Sequence, residues 1–574
     1  MEWNLSYLYE CDDEAFKDIN DAIKKSQIIL EKFTNVNNAT SSESIKIILE
    51  ELEGVLIKAF KAEQYASLKF SKNMKDESSQ KMYGMIRNKA VQIEEILAIM
   101  KAKFAKISDE ILIKWSKDLP DYKKLFERIM EEKKHILSED AEKIIATFSN
   151  TRRDGVADLY EKITSSYIFE IDGKKMTGEQ VRALRYSPDP QVRRKAMRIF
   201  FEKYGQDKLT IEGLYNLVVR DWDTEAKLRN YSTPISMRNF ENETDDETVQ
   251  KLIDVTTDNT KLVHKYYKWK AEYLGEELTL ADIYAPISKE TKEYSFEDAK
   301  KIVLDAYYEF SEDIGKIVES FFEEGRIDVF PAEGKRGGAF CSYSIPNYKP
   351  YVLLNFTGNM RDVMTLAHEL GHGVHGTLSS KQNIYNYHTP LTMAEVASVF
   401  GEFLVFDKIR NELDGKEKKA FVASKIEDIF ATMFRQNMFA RFEIKAHDVI
   451  EKEGFASYDE LSNIYKEELK IMFGNSVKIT EEYHREWSVI PHIFFAPFYV
   501  YAYNFANALV IALYQKYLEE GKKFIPKYIE LLESGGKDKP EKLLEKVGVN
   551  LKDENFWQRA FDYINSLLTE EGME

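Results

Sequence analysis

A chain of 574 residues is longer than one simple core usually organises, so two or more structural units are expected. Its 44% hydrophobic and 31% charged residues are the composition of an ordinary globular protein, neither disordered nor fibrous. A net charge of −17 argues against nucleic acid as a partner, because phosphate contacts need a basic face.

The opening residues, Met1-Glu2-Trp3-Asn4, lack the basic and apolar regions of a secretion signal. No apolar run approaches the ~20 residues of a bilayer span, so no membrane association is expected. Two cysteines, Cys11 and Cys341, make no disulfide framework and suit a reducing cytoplasm. Proline is absent before residue 120, and helical patterns run over about 13–33, 42–72, 76–105 and 108–118. In the second, Ile45, Ile48, Leu49, Leu52, Val55 and Leu56 recur at three and four, which puts an apolar stripe on one helix face. Ser41 and Ser42 supply cap chemistry at its start. A β-rich run, Tyr167 to Ile171, leads into Asp172-Gly173, the signature of a hairpin. The Ser187-Pro188-Asp189-Pro190 punctuation suggests a boundary near 190, giving an N-terminal helical region, 1–190, and a second domain, 191–574. Helical patterns continue to about 325. Three short β runs follow, 326–330, 337–341 and 351–355, as expected for a small twisted sheet, and helix returns from 358 to the end. The stretch 489–514 reads as one buried helix.

The chemistry lies in His368-Glu369-Leu370-Gly371-His372. On a helix, histidines four apart stack on one face. Asn359 can cap that helix with Asp362 in its first turn. Val363, Leu366, Ala367, Leu370, Val374 and Leu378 form an apolar stripe that leaves the imidazoles on the other face. Two such histidines read as zinc ligands, with Glu369 as the general base that moves a proton from the attacking water to the leaving amine. A catalytic zinc takes a third protein ligand and keeps one position open. A histidine six residues after His372 would serve, but that position is Leu378. No Asp or Glu occurs from Gly373 to Ala394, although 98 of the 574 residues are acidic. The first carboxylate, Glu395, is the expected third ligand. Glu402, seven residues on, is expected on the same helix face and would orient a ligand histidine. His375, three beyond His372, is expected to pack beside the ligands rather than join them. Thr392-Met-Ala-Glu395 is also a candidate capping box.

On these residues the chain resembles the thimet oligopeptidase and oligoendopeptidase F family of zinc peptidases, and most the oligoendopeptidase F branch. The resemblance covers roughly 195–570. It implies a mostly α-helical, two-lobed metallopeptidase with a deep central channel and a small β-sheet beside the active site. It implies one Zn2+ per chain and oligopeptide substrates. It further implies that an edge at Gly337, Gly338, Ala339 and Phe340 pairs with the substrate backbone. In this family a C-terminal segment polarises the scissile carbonyl. Here Pro491-His492 through Tyr503 matches it, with His492, Tyr499 and Tyr503 at i, i+7 and i+11 as carbonyl-side groups and Tyr501 as a substrate contact. A further tyrosine of the thimet branch is replaced by Ala506. The expected activity is endopeptidase cleavage of short oligopeptides. The alternatives are a metallocarboxypeptidase on a similar scaffold and a non-catalytic peptide-binding protein with structural zinc.

Overall fold

The computed structural model describes residues 2–148, 151–288 and 292–574. Helices dominate, and the described strands form two small sheets. The chain divides into two compact units, each assembled from three separate stretches. The first comprises Met1–Lys134, Thr291–Glu412 and Tyr517–Val549; the second comprises His135–Glu290, Leu413–Lys516 and Asn550–Glu574. Both units interleave along the chain, a different division from a single sequence cut near 190.

The first unit opens with α1 (Asp12–Thr34), α2 (Ser42–Lys72), α3 (Glu77–Phe104) and α4 (Asp109–Asp118), close to the expected spans. Ser41 Oγ caps α2 by accepting from the Ser44 backbone. The α2 stripe, Ile45 through Leu56, is buried as its spacing requires. In the second unit, β1 (Phe169–Ile171) and β2 (Lys174–Met176) make the expected hairpin, with Asp172 and Gly173 both at positive φ in the turn.

The sheet of the first unit contains β3 (Ile327–Asp328), β4 (Phe340–Ser342) and β5 (Tyr351–Leu353) in the order β3-β5-β4. Its β3–β5 pairing is parallel, whereas β4–β5 is antiparallel with Cys341 opposite Val352. The N-terminal helices and this sheet share one apolar core. Trp3 packs edge-on to Tyr351, and Gln64 of α2 donates to the Ser342 carbonyl at 3.0 Å. The bundle thus fixes β4. Gly337 to Ala339, expected in a strand, instead form a bend before β4, because Gly338 takes φ +77°. Asn355 pins that bend by donating to the Arg336 and Gly338 carbonyls.

Downstream, α5 (Met360–Leu378) carries both histidines of the motif and α6 (Ser398–Glu412) packs against it. In the second unit the expected single helix over 489–514 is three pieces: a short turn His492–Phe495, an irregular segment, and α7 (Tyr501–Glu520). Pro497 and the positive φ of Phe498 (58°) break it. Among the described residues no helix is long and apolar enough to cross a membrane.

Candidate metal centre

The local chemistry of α5 explains its start. Asn359 and Asp362 form a reciprocal capping box, and Asp362 also accepts from Thr357 and Gly358. Val363, Leu366, Ala367, Leu370 and Val374 are buried, so the helix cannot rotate its histidines inward without exposing them.

The glycines of α5 serve close packing. A Cβ at Gly371 would stand 2.4 Å from the Ala397 carbonyl oxygen and 2.6 Å from Ser398 Cα. Only glycine lets that backbone approach. A Cβ at Gly376 would strike the Tyr343 ring at 2.7 Å. Gly401 of α6 similarly makes room for the Tyr307 hydroxyl, which donates to the Ala367 carbonyl at 2.8 Å.

The backbone that Gly371 admits carries the third candidate ligand, Glu395. Glu395 and Glu402 were expected on one helix. The helix instead stops at Ala394, Glu395–Ala397 form a turn, and α6 begins at Ser398. Thr392 lies inside the short helix Leu391–Ala394 rather than capping it. Tyr528 holds the turn by donating to the Val396 carbonyl at 2.9 Å.

This turn aims Glu395 at the histidines. Its Oε2 lies 3.5 Å from His368 Nε2 and 3.5 Å from His372 Nε2. The two imidazoles stand nearly perpendicular, with centroids 4.8 Å apart. Among the described residues, His368, His372 and Glu395 are the one group of three or more such side chains whose ligand atoms converge. Ligands about 2.1 Å from a tetrahedral zinc stand about 3.4 Å from one another, so this spacing fits that ion and is too long for direct hydrogen bonds. Glu395 is 34% exposed, which leaves one side of the cluster open.

Supporting contacts orient the donors. Glu402 Oε1 lies 2.6 Å from His368 Nδ1, and Ser398 Oγ donates to Glu395 Oε2 at 2.5 Å. Ser398 and Glu402 are one turn apart on α6. Burial would lower the His368 pKa, but the Glu402 hydrogen bond and charge overcome it and raise it to about 9. Burial lowers His372 to about 4. His375 is fully buried and outside the convergent group, and burial keeps it neutral with a pKa of about 3.

Glu369 sits beside the ligands on α5, 7% exposed. Burial pushes its carboxyl up to about 7, against the pull of His368; Glu395 and Glu402 add to the rise. The Cys341 backbone N–H on β4 donates to it. A carboxyl poised near neutrality can both take and return a proton. Sequence reasoning missed Tyr343, whose ring stacks 6.3 Å from His372, and the β4 backbone contact to Glu369. A signal existed for Tyr343 in Gly376, but glycine alone does not say which ring it accommodates.

His492, Tyr499 and Tyr503 belong to the second unit, and there they come together although no continuous helix joins them. His492 and Tyr499 stack with centroids 6.3 Å apart. The Tyr503 hydroxyl lies 3.5 Å from His492 Nε2. Packing lowers the His492 pKa, so its ring is neutral near pH 7. Tyr501 differs from the expectation of a substrate contact. It is fully buried, with its hydroxyl accepting from Asn242 at 2.9 Å, because residue 501 starts α7 on the inward face. In the first unit, Gly337 and Gly338 are exposed and a Cβ on either would meet nothing, while Ala339 and Phe340 are half-buried.

The chain is similar to known proteins along most of its length. Residues 183–563 match the family model "Peptidase family M3", and 103–169 match "Oligopeptidase F". An oligoendopeptidase F homolog of Borreliella burgdorferi is 31% identical over 567 residues, 96% of this chain and 94% of that protein. A Lactococcus lactis homolog is 26% identical, covering 99% and 96%. A solved structure from Chlamydophila abortus superposes with TM-score 0.90 at 24% identity, covering 100% of this chain and 98% of that one. Oligoendopeptidase-F from Enterococcus faecium superposes with TM-score 0.70 at 20% identity, covering 98% of each chain.

Proposed function

Because the chain belongs to peptidase family M3 and is a metallo-oligopeptidase, we propose that it is a zinc endopeptidase cleaving internal bonds of short oligopeptides. One observation carries the reading: two imidazole Nε2 atoms, each 3.5 Å from Glu395 Oε2, beside the buried carboxyl of Glu369. Three donors with an open side suit a catalytic site better than the closed four-ligand site of a structural zinc.

His368, His372 and Glu395 would hold the ion. Bound there, zinc supplies Lewis-acid activation of water and carbonyl near neutral pH. Glu402 takes the Nδ1 proton of His368 in a hydrogen bond and so keeps Nε2 turned to the cluster. Ser398 holds the Glu395 carboxylate in place. Glu369 accepts the proton of the attacking water and delivers it to the departing amine. His492 and Tyr499 donate to the scissile carbonyl oxygen as negative charge grows on it, and Tyr503 orients His492. The bend at Gly337 and Gly338, with Ala339 and Phe340, pairs with substrate main chain, which gives binding without strong sequence preference. On this reading 191–574 is the catalytic domain and 1–190 its N-terminal region. A cytoplasmic location agrees with the unpaired thiols of Cys11 and Cys341.

Mass-spectrometric mapping on a peptide blocked at both ends tests this. Internal cuts that stop with chelator and return with zinc are expected. No cut in the blocked peptide, together with trimming of the unblocked one, would replace the endopeptidase with a carboxypeptidase.

A further inference from the structure

The second unit contains a cavity of about 340 Å3 that the chemistry above does not use. His492 stands on its lining together with three arginines, Arg182, Arg185 and Arg435. In a chain of net charge −17 such a cluster is against the background. One charge is neutralised: Arg435 pairs with Glu486, which also accepts from the Tyr465 hydroxyl at 2.7 Å. Among the described residues Arg182 forms an ion pair only with Glu179, a carboxylate 79% exposed and so screened by water. No carboxylate among the described residues lies within ion-pair distance of Arg185. Its guanidinium lies over the Tyr284 ring at 4.6 Å and the Tyr186 ring at 5.3 Å. The Nε atoms of Arg182 and Arg185 are both buried without an acceptor. Buried donors of that kind cost free energy unless something fills them.

The folding that brings these groups together is specific. Arg182 and Arg185 are three apart across the turn from helix Gly178–Ala183 into Leu184–Tyr186. Arg435 follows a π-helical segment, Phe430–Phe434, which shifts the helix register at the cavity wall. Phe200, Phe201 and Phe439 supply apolar wall. The cavity is at the small end for a ligand pocket, with room for the last residue or two of a peptide and none for a folded chain.

The geometry points to this cavity as the seat of the free C-terminal carboxylate of a peptide substrate. Arginine forks match a carboxylate in two-point geometry, and the aromatic wall suits an apolar last side chain. His492 on the same lining ties the anchor to the scissile carbonyl; this step rests on the role of His492 given above.

Two matched quenched-fluorescence peptides, identical except for a terminal carboxylate or carboxamide, test it. In the native enzyme the acid should be cleaved about tenfold better in kcat/KM, mainly through KM. Arg185→Gln should bring the acid down to the level of the amide. Calorimetry of an acetylated dipeptide acid and its amide, on native and Arg185→Gln protein, reads binding without turnover and should give the same ratio. Equal handling of acid and amide by the native protein in both measurements overturns the carboxylate seat, as does an undiminished ratio in Arg185→Gln. Chelator-sensitive cleavage of both peptides at equal rates would leave the peptidase reading standing. Absence of any cleavage would remove that reading, and calorimetry would still decide the anchor.

Discussion

The two regions that bear the proposed chemistry are built on opposite plans. Around α5 the donors sit on a continuous, capped helix, and their orientation follows from its periodicity and from neighbours on α6. The His492–Tyr503 segment has no continuous helix. It is shaped by Phe498, a bulky residue at φ +58°, a conformation that such side chains rarely adopt. Buried groups far along the chain hold it there. Glu443 accepts the Phe498 N–H at 2.8 Å, and the Phe498 ring packs 4.3 Å from His447, whose Nδ1 lies 2.6 Å from Asp223 Oδ1. The metal region therefore depends on local order, and the carbonyl region on tertiary support. Substitutions should separate the two.

The largest effect is expected at Gly371. Alanine there drives a Cβ into the backbone at Ala397 and Ser398, so Gly371→Ala should destabilise the protein by about 3 kcal/mol. It should also displace Glu395 and weaken zinc binding, while a remote surface Gly→Ala does neither. Denaturant unfolding and a zinc competition titration check both. Unchanged zinc affinity would mean that the 395–397 turn is not set by this contact.

Next comes Glu402. Glu402→Gln should lower zinc affinity about 10- to 100-fold. In the native protein His368 holds a proton up to about pH 9 when no metal is bound, and zinc must displace it. Apparent zinc affinity should therefore rise up to about tenfold per pH unit from 6.5 to 8.5. The Gln variant, lacking the charge that holds the proton, should have a shallower slope. Equal slopes would sink this assignment.

The smallest effect lies in the carbonyl region. Burial pushes the Glu443 carboxyl up to about 8, so it is neutral at pH 7. Glu443→Gln keeps an acceptor for Phe498 and should change turnover less than about twofold. Glu443→Ala should cut kcat about tenfold with zinc content unchanged, because the Phe498 turn loses its partner. Since the folded carboxyl keeps its proton above the unfolded value of 4.5, native stability should fall between about pH 4.5 and 8. Thermal melts of Glu443→Gln should lack that part of the decline.

The same contrast explains what was legible in the sequence. The α5 helix, its cap and its two histidines were readable because all their determinants lie in one stretch, the 19-residue helix and the Asn359 cap just before it. The acid-free gap identified Glu395, but the turn that aims it was hidden, since it depends on Gly371 and on a hydroxyl 132 residues away. Around His492 the residue types suggested a helix face; Pro497 and the contacts of Glu443 produced a different path to a similar gathering of rings. Glu443 and His447 share a helix face, four residues apart, but their partners Phe498 and Asp223 lie 55 and 224 residues away along the chain, so their spacing alone did not announce the support they give. Tyr501 was misjudged because alternation of tyrosines does not reveal which one begins an inward-facing helix.

The most direct test of the central chemistry is zinc content and turnover of Glu369→Gln. One zinc per chain, bound as in the native protein, with kcat down about 10³-fold, is the predicted result. Retained turnover would contradict Glu369 as the proton carrier, and loss of zinc would make it a ligand instead.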